Sequence, residues 1–142
     1  RFTTGPEISS DTHGYKLEAF VSGAGTGGTM MGVKRFFAGM RQKNPKFVLV
    51  TPEEPAEEHG IQGINDGADF LVDRAQMDQV IKIKTEEAIE RAGRLAKENG
   101  LLVGISSGAN ILAAERWINE HSPEGIIVTM LCDRGERYLE IL

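Results

Sequence analysis

Four glycines in six positions, Gly23, Gly25, Gly27 and Gly28, stand directly after the apolar run Ala19-Phe20-Val21 and directly before a segment of helical periodicity. A backbone this free of Cβ atoms can approach a ligand closely and turn its N–H groups inward, and the start of the following helix adds roughly half a positive charge. That combination suits an anion, above all a phosphate, and the hydroxyls of Thr26 and Thr29 can add donors. A second cluster, Gly104-Ile105-Ser106-Ser107-Gly108-Ala109, puts two hydroxyls at another such junction, where one serine can cap a helix and the other can bond a ligand. A third cluster, residues 131–138, brings Cys132, Asp133 and Arg134 together after the last apolar run. Cys132, with no base beside it, reads as a small residue closing a buried strand rather than as a nucleophile, and Asp133 with Arg134 reads as a surface pair. His13, His59 and His121 show no ligand spacing, so no metal site is expected. Gly23-x-Gly25-x-x-Gly28 also fits the dinucleotide fingerprint, with Glu53 and Glu54 lying 25 and 26 residues beyond Gly28. The additional Gly27 and Thr29 suit a cup for a single phosphate better.

These clusters need elements to position them. Ala19-Phe20-Val21, Val48-Leu49-Val50, Val80-Ile81, Leu101-Leu102-Val103 and Ile126-Ile127-Val128 are short continuous runs of the kind found in parallel strands buried on both faces. Met30, Val33, Phe36, Phe37 and Met40 share a helical face. Residues 85–99 form the clearest helix, with Thr85 as N-cap, Glu86 and Glu87 in the first turn, Ile89, Ala92 and Ala96 on one face, and Gly100 as the stop. Residues 107–120 repeat the design with Ile111, Ala114 and Ile118. Alternating strands and helices predict a three-layer α/β/α sandwich with a mostly parallel sheet, in one domain over residues 1–142. In such a sheet the glycine and serine clusters share the rim at the carboxyl ends of the strands. Residues 51–71 fit neither period. With Pro52, Pro55, Gly60, Gly63 and Gly67 among four glutamates, they predict a solvated acidic loop or a functional, mobile one.

Composition narrows the classes. The 142 residues carry 16 Lys+Arg against 21 Asp+Glu, a net charge of −5 that argues against nucleic acid, and the 40% hydrophobic content supports one core. No run of 18 apolar residues and no charged-then-apolar leader occurs, so neither a membrane span nor a signal peptide is expected. One cysteine staples nothing, which suits a reducing, cytoplasmic setting. The polar opening, residues 1–16, reads as the start of a fragment or a processed piece.

In order along the chain, Thr3-Thr4-Gly5-Pro6-Glu7-Ile8, Val21-Ser22-Gly23 leading into Gly25-Thr26-Gly27-Gly28-Thr29, Ile61-Gln62-Gly63-Ile64, Gly104-Ile105-Ser106-Ser107-Gly108-Ala109 and Gly135-Glu136-Arg137-Tyr138-Leu139 resemble the motifs of the cysteine synthase (O-acetylserine sulfhydrylase) family. Cys132-Asp133-Arg134 and Pro52-Glu53-Glu54 are more similar to the B isozyme, Ile61-Gln62-Gly63-Ile64 to the A isozyme. The resemblance implies a fold-type II pyridoxal-phosphate enzyme. It makes Gly25, Thr26, Gly27, Gly28 and Thr29 the cup for the cofactor phosphate and sets Ser106, or alternatively Ser107, facing the pyridine nitrogen. It also counts Cys132 and Asp133 as cofactor contacts and puts Gln62, Gly63 and Ile64 on a loop near the substrate. A serine, unlike an aspartate, does not hold that nitrogen protonated, so the cofactor is a moderated electron sink that favours β-elimination. The implied reaction replaces the acetate of O-acetylserine with sulfide to give L-cysteine, in a homodimer that can partner serine acetyltransferase.

The related cystathionine β-synthase-like enzymes and serine or threonine dehydratases share the cup, and an NAD(P)-binding oxidoreductase domain or a purely structural module are the readings from other classes. The sequence departs from the family at Asn65-Asp66-Gly67-Ala68-Asp69-Phe70, which replaces a shorter Gly-Ala-Gly-Phe continuation. None of Lys16, Lys34, Lys43, Lys46, Lys82, Lys84 and Lys97 sits in a small-residue loop at the rim, where a Schiff-base lysine is expected. The resemblance therefore implies that the lysine-bearing part lies upstream of Arg1, that this chain is most of the larger, C-terminal domain, and that it is inactive alone.

Overall fold

Successive side chains of a strand point to opposite faces, so a continuous apolar run can serve two layers at once. The computed structural model describes residues 3–40, 44–64 and 71–140. In it β1 (Leu17–Gly23), β2 (Lys46–Pro52), β3 (Gln79–Ile83) and β4 (Ile126–Thr129) form one parallel sheet in the order β3-β2-β1-β4. The helices are α1 (Thr4–Asp11), α2 (Gly28–Ala38), α3 (Thr85–Asn99) and α4 (Ile105–His121). Phe20, Phe47 and Leu49 face Ile8 of α1 and Met30, Val33 and Phe37 of α2. The alternate residues Ala19, Val21, Val48, Val50, Ile81 and Ile83 face Ala88 of α3 and Ala109, Ala113 and Trp117 of α4. This is the expected three-layer sandwich.

β1 is central, and the chain order reverses on it: β2 and β3 follow on one side, whereas β4 returns on the other. The carboxyl ends of β1 and β4 therefore flank a topological switch point, where open α/β sheets hold their ligands.

The helix ends follow local chemistry. α3 ends on Gly100, whose left-handed φ of 68° suits a residue without Cβ. Its N-cap is Lys84 rather than Thr85, and the first-turn donors go to carboxylates: Lys84 N–H donates to Glu87 at 3.3 Å and Thr85 N–H to Glu54 at 2.8 Å. α4 begins at Ile105, two residues before the expected start, and α2 ends at Ala38.

One expected strand is absent. Leu101-Leu102-Val103 is not a strand. The left-handed Gly100 turns the chain at once, and only a few residues separate α3 from α4. Val103 alone is buried, making an isolated antiparallel bridge to Arg134, while Leu101 and Leu102 face outward. The backbone there bonds instead to the chain after β4, with Gly104 N–H donating to Asp133 O at 2.9 Å and Gly135 N–H to Leu102 O at 3.1 Å. The polar opening, in turn, contains α1. Its Pro6 falls in the first turn, where no intrahelical donor is missing, and only Gly5 and Ile8 are buried, so the helix carries almost no apolar signal.

Two predictions follow from this packing. α3 and α4 approach so closely that a Cβ on Gly108 would strike the backbone of Ala88 and Ala92. Gly108→Ala should therefore destabilise the fold by about 2 kcal/mol in urea unfolding, the cost of overpacking against backbone. Asp78 pins the starts of β2 and β3, accepting from Lys46 Nζ and from Phe47 N–H, each at 2.8 Å. Burial opposes its charge, but these donors outweigh burial and hold the carboxyl below its ordinary 3.8. A depressed acid stabilises fully above its unfolded pKa and loses that contribution as pH falls through the folded value. Asp78→Ala should cost about 1 kcal/mol at pH 7, and the difference from wild type should shrink as the pH falls below the ordinary 3.8 and the carboxylate protonates.

Candidate functional site

The loop leaving β1 turns glycine-rich where the ladder ends. Gly27 has φ 82°, and a Cβ there would overlap Val72; a Cβ on Gly25 would lie 2.9 Å from the Gly63 carbonyl oxygen. Gly27 is also the N-cap of α2, and no side chain caps that helix, so its first-turn N–H groups are presented to the loop. α4 starts the same way from Gly104. These two helix starts and the exits of β1 and β4 enclose a cavity of about 170 Å³. It is lined by Gly25, Thr26, Gly27, Gly28 and Thr29 on one side, Ser106, Cys132 and Asp133 on another, and Gln62, Gly63 and Ile64 at its edge, whereas Ser107 and Arg134 lie outside it.

The two serines separate by burial. Ser107 is fully buried, and its Oγ accepts from Cys132 N–H at 2.9 Å, holding the chain after β4 onto α4. Ser106 lines the cavity, where its hydroxyl favours the ionised form of the Cys132 thiol. Neither caps the helix, because Gly104 holds that position. Cys132 is no core filler; it is exposed at the cavity wall. Burial of its sulfur and the Asp133 carboxylate push the thiol up from 9.0, only partly offset by Ser106 and Asn110, so it is neutral near pH 7 and a poor nucleophile.

Ile61 and Ile64 are buried and anchor the loop between them, which leaves Gln62 and Gly63 exposed at the cavity mouth. Residues 65–70, the departure from the family pattern, lie outside the described residues. Asp133 turns towards Tyr138 rather than pairing with Arg134: the Tyr138 hydroxyl lies 3.3 Å from Gln62 Oε1 and 3.5 Å from Asp133 Oδ2. Glu54, one of the acids invoked for a dinucleotide, is engaged at the start of α3. Among the described residues, no lysine lines the cavity. A larger hollow of about 540 Å³ lies at the amino ends of the strands, but its ammonium groups are already paired, Lys16 with Glu18 and Lys46 with Asp78.

Two lining residues escaped sequence reasoning. Asn110 follows Ser106 by one helical turn on the buried stripe of α4, and that spacing of polar residues in an apolar face was the available signal. Met130, next to the last strand, carried none.

An α/β domain with a phosphate-type cup at the switch point of a parallel sheet defines the class, and the chain belongs to the pyridoxal-phosphate dependent enzyme family, whose model matches residues 1–133. It is 43% identical over 155 residues to cysteine synthase A of Salmonella typhi, covering 96% of this chain and 47% of that protein. The solved O-acetylserine sulfhydrylase isoform 3 of Entamoeba histolytica superposes with a TM-score of 0.84 at 36% identity, over 96% of this chain and 43% of that one. The O-acetylserine dependent cystathionine β-synthase of Helicobacter pylori gives 0.82 at 35%, over 98% and 47%. The chain thus spans about half the length of the relatives it matches.

The serines supply a prediction. Ser107→Ala leaves the part-buried Cys132 N–H without its acceptor and should cost about 1 kcal/mol in urea unfolding, whereas Ser106→Ala should stay within about 0.5 kcal/mol of wild type.

Proposed function

We propose that this chain forms the phosphate- and ring-binding part of a pyridoxal-phosphate dependent enzyme that makes L-cysteine from O-acetylserine and sulfide. The observation that carries the reading is the convergence of an uncapped, Cβ-free helix start and a hydroxyl-bearing helix start on one cavity at the switch point. The donor set fits the cofactor: a phosphate dianion takes backbone N–H groups at residues 25–29 with the Thr26 and Thr29 hydroxyls, and the ring nitrogen takes the Ser106 hydroxyl. When bound, the cofactor supplies an electron sink for the bond changes at the amino acid's α and β carbons.

The remaining roles belong to the protein. Ser106 orients the ring and leaves its nitrogen unprotonated, because a hydroxyl is too weak an acid to transfer its proton. The neutral thiol of Cys132 and the side chain of Asp133 complete the wall beside it. Gln62 and Gly63 contact the substrate from a loop that Ile61 and Ile64 hold in place. A cavity of about 170 Å³ is smaller than the roughly 300 Å³ or more of a typical ligand site. This supports a two-domain enzyme in which the Schiff-base lysine and the rest of the wall come from a segment preceding this chain. We take the enzyme to be a cytoplasmic homodimer that partners serine acetyltransferase. The likeness to the Helicobacter pylori structure supports a second reading, cystathionine synthesis from O-acetylserine.

The full-length protein is expected to absorb visible light as purified with pyridoxal phosphate, to release acetate from O-acetylserine, and to form cysteine with sulfide; Thr29→Ala should weaken cofactor binding about tenfold, the value of one charged hydrogen bond. A colourless protein that releases no acetate overturns the reading, and turnover with homocysteine but not sulfide selects the second one.

A further inference from the structure

Asn110 sits in the middle of α4, is 0% exposed, and joins two stretches of chain that are far apart in sequence. Its Oδ1 accepts from Gly23 N–H at 2.7 Å, and its Nδ2 donates to the Met130 carbonyl at 2.9 Å and approaches Cys132 Sγ at 3.8 Å. The amide orientation is dictated by these partners, since a flip would set donor against donor at Gly23 and acceptor against acceptor at Met130. Asparagine is a poor helix former, and a buried amide is costly unless fully bonded. Both costs are met here by a pair of backbone groups that no other bond would serve as well: β1 and β4 pair as far as Val21 and Thr129, and just beyond that pair the strands part. Asn110 spans the opening.

What it spans is informative. Gly23 opens the glycine loop, and residues 130–132 carry the opposite wall, where Ser107 holds Cys132 N–H from the same helix. A Cβ on Gly23 would meet Ile64, and at 3.4 Å the Asn110 oxygen, so the loop start is seated directly on these two side chains. We propose that Asn110 is a positioning residue that sets the distance between the phosphate cup and the ring-nitrogen rim, matching the site to the length of the cofactor. The proposal rests on the pyridoxal-phosphate reading above. A ligand that fills the cup alone does not need that distance; a ligand that reaches both ends does.

The test uses the full-length apoprotein, titrated with pyridoxal phosphate by fluorescence and with inorganic phosphate by calorimetry. Asn110→Leu keeps the volume and removes both ties; Asn110→Ala removes them with a smaller side chain and carries the test where the leucine variant does not fold. Both variants should bind pyridoxal phosphate at least tenfold more weakly while binding inorganic phosphate within twofold of wild type. Equal weakening of the two ligands would mean a general loss of structure, and unchanged cofactor affinity would mean no role; either result overturns the proposal. A wild-type protein that takes up phosphate but not pyridoxal phosphate instead overturns the functional reading and the proposal with it.

Discussion

β1 and β4, after an irregularity between Leu17 and Ala19, pair as far as Val21 and Thr129 and no further, and the site lies where that pairing ends. Up to that point the ladder satisfies the backbone. Beyond it, the amides and carbonyls at the carboxyl ends of the strands need other partners, since buried backbone polar groups are almost never left alone. On the β4 side α4 supplies them: Ser107 takes Cys132 N–H, and Asn110 takes Met130 O together with Gly23 N–H. On the β1 side the chain runs through glycines into the start of α2.

The same constraint explains why both helices that face the cavity begin without a side-chain cap. A serine or aspartate at an N-cap closes the first-turn donors and typically stabilises by about 1 kcal/mol. Gly27 and Gly104 forgo that gain. At α2 the donors stay available to an anion, and at α4 the first turn is free to carry Ser106 into the cavity. α3, packed beside α4 but outside the site, has the N–H groups at its start engaged by Glu87 and Glu54.

Polarity within the site is graded. Around the cup the surface is backbone and hydroxyl, with Thr26 and Thr29 exposed at its lip. At the far wall the neutral thiol of Cys132 and the hydroxyl of Ser106 meet, and the Tyr138 hydroxyl, lying between Gln62 and Asp133, links the mouth of the cavity to that wall.

Much of this was legible in the chain itself. The strands of residues 19–21, 48–50, 80–81 and 126–128, the helix of residues 85–99 and the placement of three glycine-bearing clusters on one rim follow from local periodicity and from glycine's freedom of φ, both properties of short windows. The run Leu101-Leu102-Val103 misled because a buried strand and an apolar connector look alike over three residues, and only the left-handed turn at Gly100 with the close approach of α3 and α4 decides between them. α1 was silent because one buried face residue makes no period. Which serine faces the cavity, whether Cys132 is core or wall, and what Asn110 does were undetermined for one reason: each depends on a partner 20 or more residues away. The amino-acid sequence by itself determined the layers, the rim and the glycine-rich, Cβ-poor character of the first loop; the tertiary structure alone decided which polar atoms are used up in joining the ends of β1 and β4 and which are left facing the space between them.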